Sequence, residues 1–294
     1  MISSLLFLLT PAALAAVNVV ASTPDVAWLV QRVAGDNAKV QVLAPPGASY
    51  HHVEARPDYA LKVARADVLC RIGLELEDPW LNKVVEKAAN GKVMDGSAGD
   101  CVLGRKVDVG QKPTGAVDRS MGDVHPSGNP HFWLSPVAMA AAVKEVEERL
   151  SQVDAGNAST YAANRAAVEK ELLGLEKSLK EKLKPAAGRA FFEYHKDFFY
   201  FFRDYGLVSL GSIEEIPGVA PSAARLGTVA KTAKAEKAAL ALAAKHDPAA
   251  QLEKFRELSG VSYVQVPTSV PNPTDPGAYA AWQEEIVKGI LGKL

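Results

Sequence analysis

Three histidines of this chain lie where a parallel α/β protein places its binding residues. His51 follows a predicted strand and a Pro-Pro-Gly turn, His131 precedes a helical pattern, and His195 follows another predicted strand. In open α/β sheets, ligands bind beyond the carboxyl ends of strands, in the loops that lead into helices. Neutral imidazole is a good zinc ligand, and three imidazoles with one further oxygen would complete a tetrahedron. The spacing therefore indicates a metal site that separate loops form between two lobes.

The composition and the absence of several motifs argue against other kinds of function. There are 33 Lys plus Arg and 34 Asp plus Glu among 294 residues, so the formal net charge is −1 and no long-range field favours nucleic acid. Two cysteines without a C-x-x-C pattern are too few for a thiolate zinc cage or an iron–sulfur cluster. The chain has no G-x-G-x-x-G, Walker A or G-x-S-x-G motif, so neither nucleotide binding nor esterase chemistry is indicated.

The amino terminus has the pattern of a secretory signal. The apolar run over residues 5–14 is too short to span a membrane and leads into a small-x-small sequence, Ala-Leu-Ala. We therefore predict a signal peptide over residues 1–16 and a mature chain outside the cytosol; a buried first strand is the alternative. In that compartment Cys70 and Cys101 could form a disulfide, and two buried free thiols are the alternative state.

Short strand-like runs alternate with helical patterns, which is typical of parallel sheets flanked by helices. The first half contains predicted strands over 17–21, 39–43, 67–72 and 92–95, with helices over 24–34, 57–66, 79–89 and 136–150. The second half contains predicted strands over 189–193, 207–210, 238–242 and 261–266, with helices over 195–205, 222–234, 248–258 and 277–291. Residues 96–130 contain seven Gly and three Pro, so we predict a loop there.

The longest uninterrupted helical pattern covers residues 158–183. It contains one Gly and no Pro, and its Glu and Lys residues form pairs at i, i+4. Such a helix would be about 40 Å long, which exceeds the needs of one small lobe. We therefore predict an α/β fold with two lobes, each a mostly parallel sheet flanked by helices. The predicted divisions are an N-terminal lobe over 17–157, a connecting helix over 158–184 and a C-terminal lobe over 185–294.

Four motifs occur in order along the chain. The first reads Pro-Gly-Ala-Ser-Tyr-His-His-Val-Glu-Ala-Arg-Pro over 46–57, and the second reads Asn-Pro-His-Phe-Trp-Leu-Ser-Pro over 129–136. The third is Tyr161 with Asn164, and the fourth is Glu-Tyr-His-Lys-Asp-Phe-Phe-Tyr-Phe over 193–201. Together they resemble the periplasmic metal-binding receptors, or solute-binding proteins, of zinc and manganese ABC transporters (cluster A-I type). The resemblance extends from about residue 17 to the end of the chain.

The resemblance implies a receptor whose metal site lies between its two lobes. It places His51, His131 and His195 at the positions of the family's metal ligands. It also implies that the chain captures a divalent transition metal and delivers it to the membrane permease of an ABC transporter. Zn2+ is favoured over Mn2+, which prefers more carboxylate oxygen. We expect a periplasmic monomer that is not an enzyme and does not bind nucleic acid.

The fourth metal ligand is left open by the sequence. Many members of the family supply an acidic residue just after the last core strand, where this chain has Val-Pro-Thr-Ser over 266–269. The remaining candidates are water and four side chains, His125, Glu214, Glu215 and Asp275. His125 leads because its loop runs directly into His131.

Two other functions are compatible with the same residues. A zinc-dependent hydrolase also uses three histidines and an open fourth position, although no general base is evident beside such a site. A metal-binding surface adhesin would share the receptor's sequence features and differ only in its binding partner. We expect His52 and His246 to face solvent without contacting the metal.

Overall fold

The structure, a computed structural model, describes residues 16–294. The predicted signal peptide over 1–16 lies outside this range except for its last residue. The described chain forms two four-stranded parallel sheets, each flanked by helices, together with one long helix. The predicted fold class is therefore confirmed. No helix within the described range is both long enough and apolar enough to cross a membrane.

The first half of the described chain builds the first sheet. Its strands are β1 (Val17–Ala21), β2 (Ala38–Val42), β3 (Val68–Arg71) and β4 (Asp100–Val102). Its helices are α1 (Pro24–Ala34), α2 (Pro57–Ala64), α3 (Asp78–Ala88) and α4 (Pro136–Val153). The strand order is β2-β1-β3-β4, and every pairing is parallel. Helices α1 and α4 pack against these strands, so the binding loops at the carboxyl ends stand on a buried core.

The second half repeats this arrangement. Its strands are β5 (Ala190–Glu193), β6 (Val208–Ser212), β7 (Leu240–Ala244) and β8 (Tyr263–Val266). Its helices are α6 (Phe199–Tyr205), α7 (Ala223–Ala235), α8 (Ala249–Ser259) and α9 (Ala278–Leu291). The strand order β6-β5-β7-β8 has the same crossover pattern as the first sheet. Between the halves, α5 (Ala158–Lys182) packs against α1 and α4 and also contacts α6 and α9.

One predicted strand is wrong. Residues 91–93 form a turn of 3-10 helix, and β4 lies at Asp100–Val102, inside the segment predicted as loop. Close packing at Gly99 sets this position, since a Cβ there would lie 2.1 Å from the carbonyl oxygen of Asp67. Three residues after a glycine give too short a pattern to recognise as a strand.

The two cysteines join β3 to β4. Cys70 and Cys101 are register partners in these neighbouring strands and form a disulfide, with their Cα atoms 4.4 Å apart. The alternative of two free thiols is therefore wrong. The bond fastens the short edge strand to the sheet.

The helix predicted from residue 195 begins later. The backbone N–H of Phe198 donates to the carboxylate of Glu193 at 2.8 Å, which holds residues 194–198 in a turn. Helix α6 therefore starts at Phe199, and His195 lies in the turn between β5 and α6. The aromatic side chains of α6 are mostly buried, as expected for a core-facing helix.

The last helix returns to the first half of the molecule. The Tyr279 ring stacks on Trp28 of α1, with the ring centroids 4.9 Å apart. The Tyr279 hydroxyl donates to the carbonyl of Trp133, and the Trp28 indole donates to the carbonyl of Pro276. Both α5 and α9 therefore connect the two sheets, and α9 contacts the loop that carries His131.

Candidate metal centre

The three predicted histidines meet in the cleft between the two sheets. His51 comes from the loop after β2, His131 from the loop before α4, and His195 from the turn after β5. All three are buried, and one ring nitrogen of each lies within 4.8 Å of the others. The Nε2 atoms of His51 and His131 are 2.9 Å apart. In the part of the chain that the structure describes, this is the one such group of histidine, cysteine and acidic side chains.

Neighbouring residues hold the His51 loop in place. The carbonyl of Tyr50 accepts a hydrogen bond from the indole of Trp80 at 2.9 Å. The Tyr50 hydroxyl donates to the buried carboxylate of Asp25 at 2.6 Å. The Gly47 N–H donates to the Ser269 hydroxyl in the second half of the chain. The loop is thus fixed to the cores on both sides of the cleft.

Asn129 sets the protonation of the His131 ring. Its Oδ1 lies 2.9 Å from His131 Nδ1, and its amide nitrogen donates to Gln111 and to the carbonyl of Lys196. Because an amide oxygen can only accept, the hydrogen of the neutral ring is on Nδ1. The lone pair of Nε2 then faces the cleft, which is the arrangement that a metal requires.

Glu214 has the same role for His195. Its Oε2 lies 2.8 Å from His195 Nδ1 and also accepts from the N–H of Gly218. His195 Nε2 is buried and has no hydrogen-bond partner among the residues that the structure describes. A buried nitrogen without a partner is unfavourable unless something absent from the polypeptide binds it. The donor set therefore fits a metal ion.

The pKa values of the three histidines differ in direction. Burial, assisted by the neighbouring histidines, lowers the pKa of His51 and of His131 well below 6.5. Burial alone would also lower the pKa of His195, but its bond to Glu214 and the charge of Asp197 raise that pKa to about 9. The rings of His51 and His131 are therefore neutral at pH 7. The ring of His195 carries a second proton and is positively charged in the metal-free protein.

One buried acid at the site was not identified by the sequence analysis. Asp197 lies in the turn after His195, and its Oδ1 is 3.2 Å from His131 Nε2. Its Oδ2 is buried and has no hydrogen-bond partner within residues 16–294. The only sequence signal was an acidic residue two positions after a candidate ligand.

The candidates for a fourth ligand differ in their position relative to the three histidines. The His125 ring centroid lies 5.1 Å from that of His51, but 6.5 Å from that of His131. Glu214 contacts the cluster through His195. Glu215 and Asp275 are exposed and do not line the cleft.

The other two histidines are exposed, as expected from the sequence. His52 Nε2 lies 3.3 Å from a carboxylate oxygen of Asp123, and His246 lies at the wall of the cleft. The cleft has a volume of about 270 Å³. This space is large enough for a metal ion and several water molecules.

Comparison with solved structures extends the fold assignment over almost the whole chain. A crystal structure of ZnuA superimposes with a TM-score of 0.73 at 26% identity, and the match covers 94% of this chain and 99% of that one. The two-lobed architecture is therefore shared.

Sequence comparison identifies relatives of similar extent. The high-affinity zinc uptake system protein ZnuA of Paracoccus denitrificans is 30% identical over 252 residues, which cover 79% of this chain and 77% of that protein. The zinc-binding lipoprotein AdcA of Streptococcus pneumoniae is 30% identical over 223 residues, or 76% of this chain. This chain spans only 44% of the length of AdcA. The model of the ZnuA protein family, described as zinc-uptake complex component A, periplasmic, matches residues 19–291 of this chain. The chain therefore belongs to the ZnuA family.

Proposed function

We propose that this protein is an extracytoplasmic solute-binding protein that captures Zn2+ and delivers it to the permease of an ABC transporter. The observation that carries this proposal is the convergence of three buried histidines from three loops on the two sides of one cleft. Binding between lobes suits a carrier, because the ion is enclosed during transit and released when the cleft opens.

His51, His131 and His195 are the proposed ligands. In two of them Nδ1 is engaged by a protein acceptor, Asn129 or Glu214, so that Nε2 is the atom available to the ion. Three imidazole nitrogens favour zinc over manganese, which prefers a site with more oxygen ligands. The names of the two sequence relatives, one for zinc uptake and one for zinc binding, agree with this preference.

The same relatives bear on the alternative functions. Both are named for uptake or binding, and the family is one of transport components, so the expectation that the chain is not an enzyme agrees with its family. The hydrolase and adhesin alternatives gain no support from these names. We further propose that the chain acts as a monomer and binds no nucleic acid.

The compartment and lobe boundaries complete the proposal. The family description is periplasmic, and AdcA is named as a lipoprotein, so the relatives act outside the cytosol. We propose that residues 1–16 direct this chain to the periplasm and are then removed. The proposed lobes cover 17–157 and 185–294, joined by a connecting helix over 158–184, with α9 fastening the second lobe to the first.

Zinc titration of the mature chain tests the proposed ligands. We expect one zinc per wild-type chain, and His51→Ala, His131→Ala or His195→Ala should each weaken binding by more than about 100-fold. Even the residues that hydrogen-bond to zinc ligands contribute about 10- to 100-fold to the metal affinity, so the loss of a ligand itself should cost more. The control is His52→Ala, which removes an exposed imidazole next to His51 and should leave the affinity unchanged. Equal affinity in all five proteins would refute the site.

A further inference from the structure

Asp197 and His131 face each other as two hydrogen-bond acceptors. The hydrogen of the His131 ring is on Nδ1, so its Nε2 presents a lone pair to the cleft. Asp197 Oδ1 lies only 3.2 Å from that nitrogen. Two acceptors at this distance repel each other unless a proton or a cation lies with them. The contact therefore indicates a position where positive charge is expected.

Asp197 is also buried at the cleft that the three histidines line. It is 7% exposed, and its Oδ2 accepts no hydrogen bond from the residues that the structure describes. Because Oδ2 is unpartnered, no hydrogen bond to that atom has to break when the carboxylate turns toward an ion.

The other candidates for the fourth ligand are less suitable. Glu214 already accepts hydrogen bonds from His195 and Gly218 on one oxygen. The residue after the last core strand is Pro267, which has no side-chain donor. His125 Nε2 is also buried without a hydrogen-bond partner among the described residues, but the ring centroid of His125 lies 6.5 Å from that of His131.

We propose that Asp197 is the fourth metal ligand, an assignment that rests on the proposed function. Each lobe then contributes two ligands, His51 and His131 from the first, His195 and Asp197 from the second. One carboxylate reduces the net charge of the bound Zn2+ unit from +2 to +1, which lowers the cost of burying the ion. Three nitrogens and one oxygen form a common tetrahedral donor set for zinc.

Zinc affinities of matched variants test this assignment. Asp247→Asn is the control, because Asp247 is another buried carboxylate at the cleft, and its Oδ2 accepts from the Ala244 N–H at 2.7 Å. Asp197→Asn and Asp247→Asn each replace a buried carboxyl group of the cleft by an amide of nearly the same size. We expect Asp197→Asn to weaken zinc binding by at least about 10-fold and Asp247→Asn to weaken it much less. Equal losses in the two variants, or no loss in Asp197→Asn, would overturn the assignment.

The same titration separates this assignment from the proposed function. If the wild type binds one zinc and Asp197→Asn binds it equally tightly, Asp197 is not a ligand. The three histidines then remain the proposed ligands. A wild-type chain that binds no zinc would refute the proposed function itself.

A crystal structure of the zinc-loaded protein gives a direct readout. We expect an Asp197 oxygen at about 2.0 to 2.2 Å from the ion. A water molecule or His125 at that corner, with Asp197 outside the coordination sphere, would overturn the assignment.

Discussion

At the scale of single residues, the proton on His195 would compete with the proposed metal ion. Three acidic groups face this ring, Glu214 by a hydrogen bond and Asp197 and Asp123 by their charges, and they raise its pKa to about 9 against the effect of burial. His51 and His131 have pKa values well below 6.5 and are neutral near pH 7. Zinc bound at the proposed site would therefore displace a proton from His195 at neutral pH.

This competition predicts how zinc affinity depends on pH. Between pH 7 and pH 9, the affinity should rise by about tenfold per unit, because binding releases one proton from His195. Above about pH 9 the ring is already neutral, so the dependence should flatten. Competition with a chromophoric chelator at several pH values measures this. An affinity that is constant from pH 7 to pH 9 would contradict the proton assignment.

Glu214→Gln provides the matching variant. The amide can still accept from His195 Nδ1, but the negative charge is lost, so the pKa of His195 should fall. The rise in affinity should then end at a lower pH than in the wild type. Glu215→Gln changes an exposed neighbour and should keep the wild-type profile.

The residue scale also shows what sequence alone could identify. The sequence predicts a site at His51, His131 and His195 because each follows or precedes a predicted element, inside a recognisable motif. Asp197 has no such signal, because its proposed role depends on a contact with His131, 66 positions away in sequence. The roles of Asn129 and Glu214 likewise depend on side-chain orientations that spacing does not specify.

At the scale of elements, the disulfide secures the weakest strand of the first sheet. Strand β4 has three residues and, in the described part of the chain, pairs only with β3; Cys70 and Cys101 are 31 positions apart. A cross-link that closes a loop of this length stabilises a protein by about 3 to 4 kcal/mol, chiefly by restricting the unfolded chain.

We therefore expect the Cys70→Ala/Cys101→Ala variant to lose about 3 to 4 kcal/mol of unfolding free energy. Urea unfolding, followed by circular dichroism, measures the difference. Reductant should destabilise the wild type by a similar amount and leave the variant unchanged. If wild type and variant unfold at the same urea concentration, the disulfide does not stabilise the protein.

Most elements followed from the sequence, and β4 shows why some did not. The long alternation of strands and helices has enough periodicity to predict both sheets, and the absence of proline over 158–183 predicts α5. Strand β4 is fixed by its partner β3, by the disulfide and by the close approach at Gly99. Those are tertiary effects, which a three-residue pattern does not reveal.

At the scale of the whole molecule, two helices connect the lobes and the metal is proposed to join them again. Helix α5 contacts both halves, and α9 packs on the first lobe through Tyr279 and Trp28. An ion held by residues of both lobes binds only the folded chain. It should therefore stabilise the protein as a whole.

Zinc loading should raise the unfolding temperature. At a free zinc concentration of about 1,000 times Kd, binding adds about 4 kcal/mol to the free energy of unfolding. Differential scanning calorimetry of metal-free and zinc-loaded protein measures the shift, and a chelator should reverse it. The His131→Ala variant should show a much smaller shift at the same zinc concentration. An equal shift in that variant would place the stabilising zinc elsewhere.

The most direct test of the central claim is elemental analysis of the protein purified from its native compartment without added metal. The wild type should contain about one zinc per chain, and the triple variant His51→Ala/His131→Ala/His195→Ala, purified in the same way, should contain almost none. A wild type without zinc, or a triple variant with the same zinc content, would contradict capture of zinc by these three histidines.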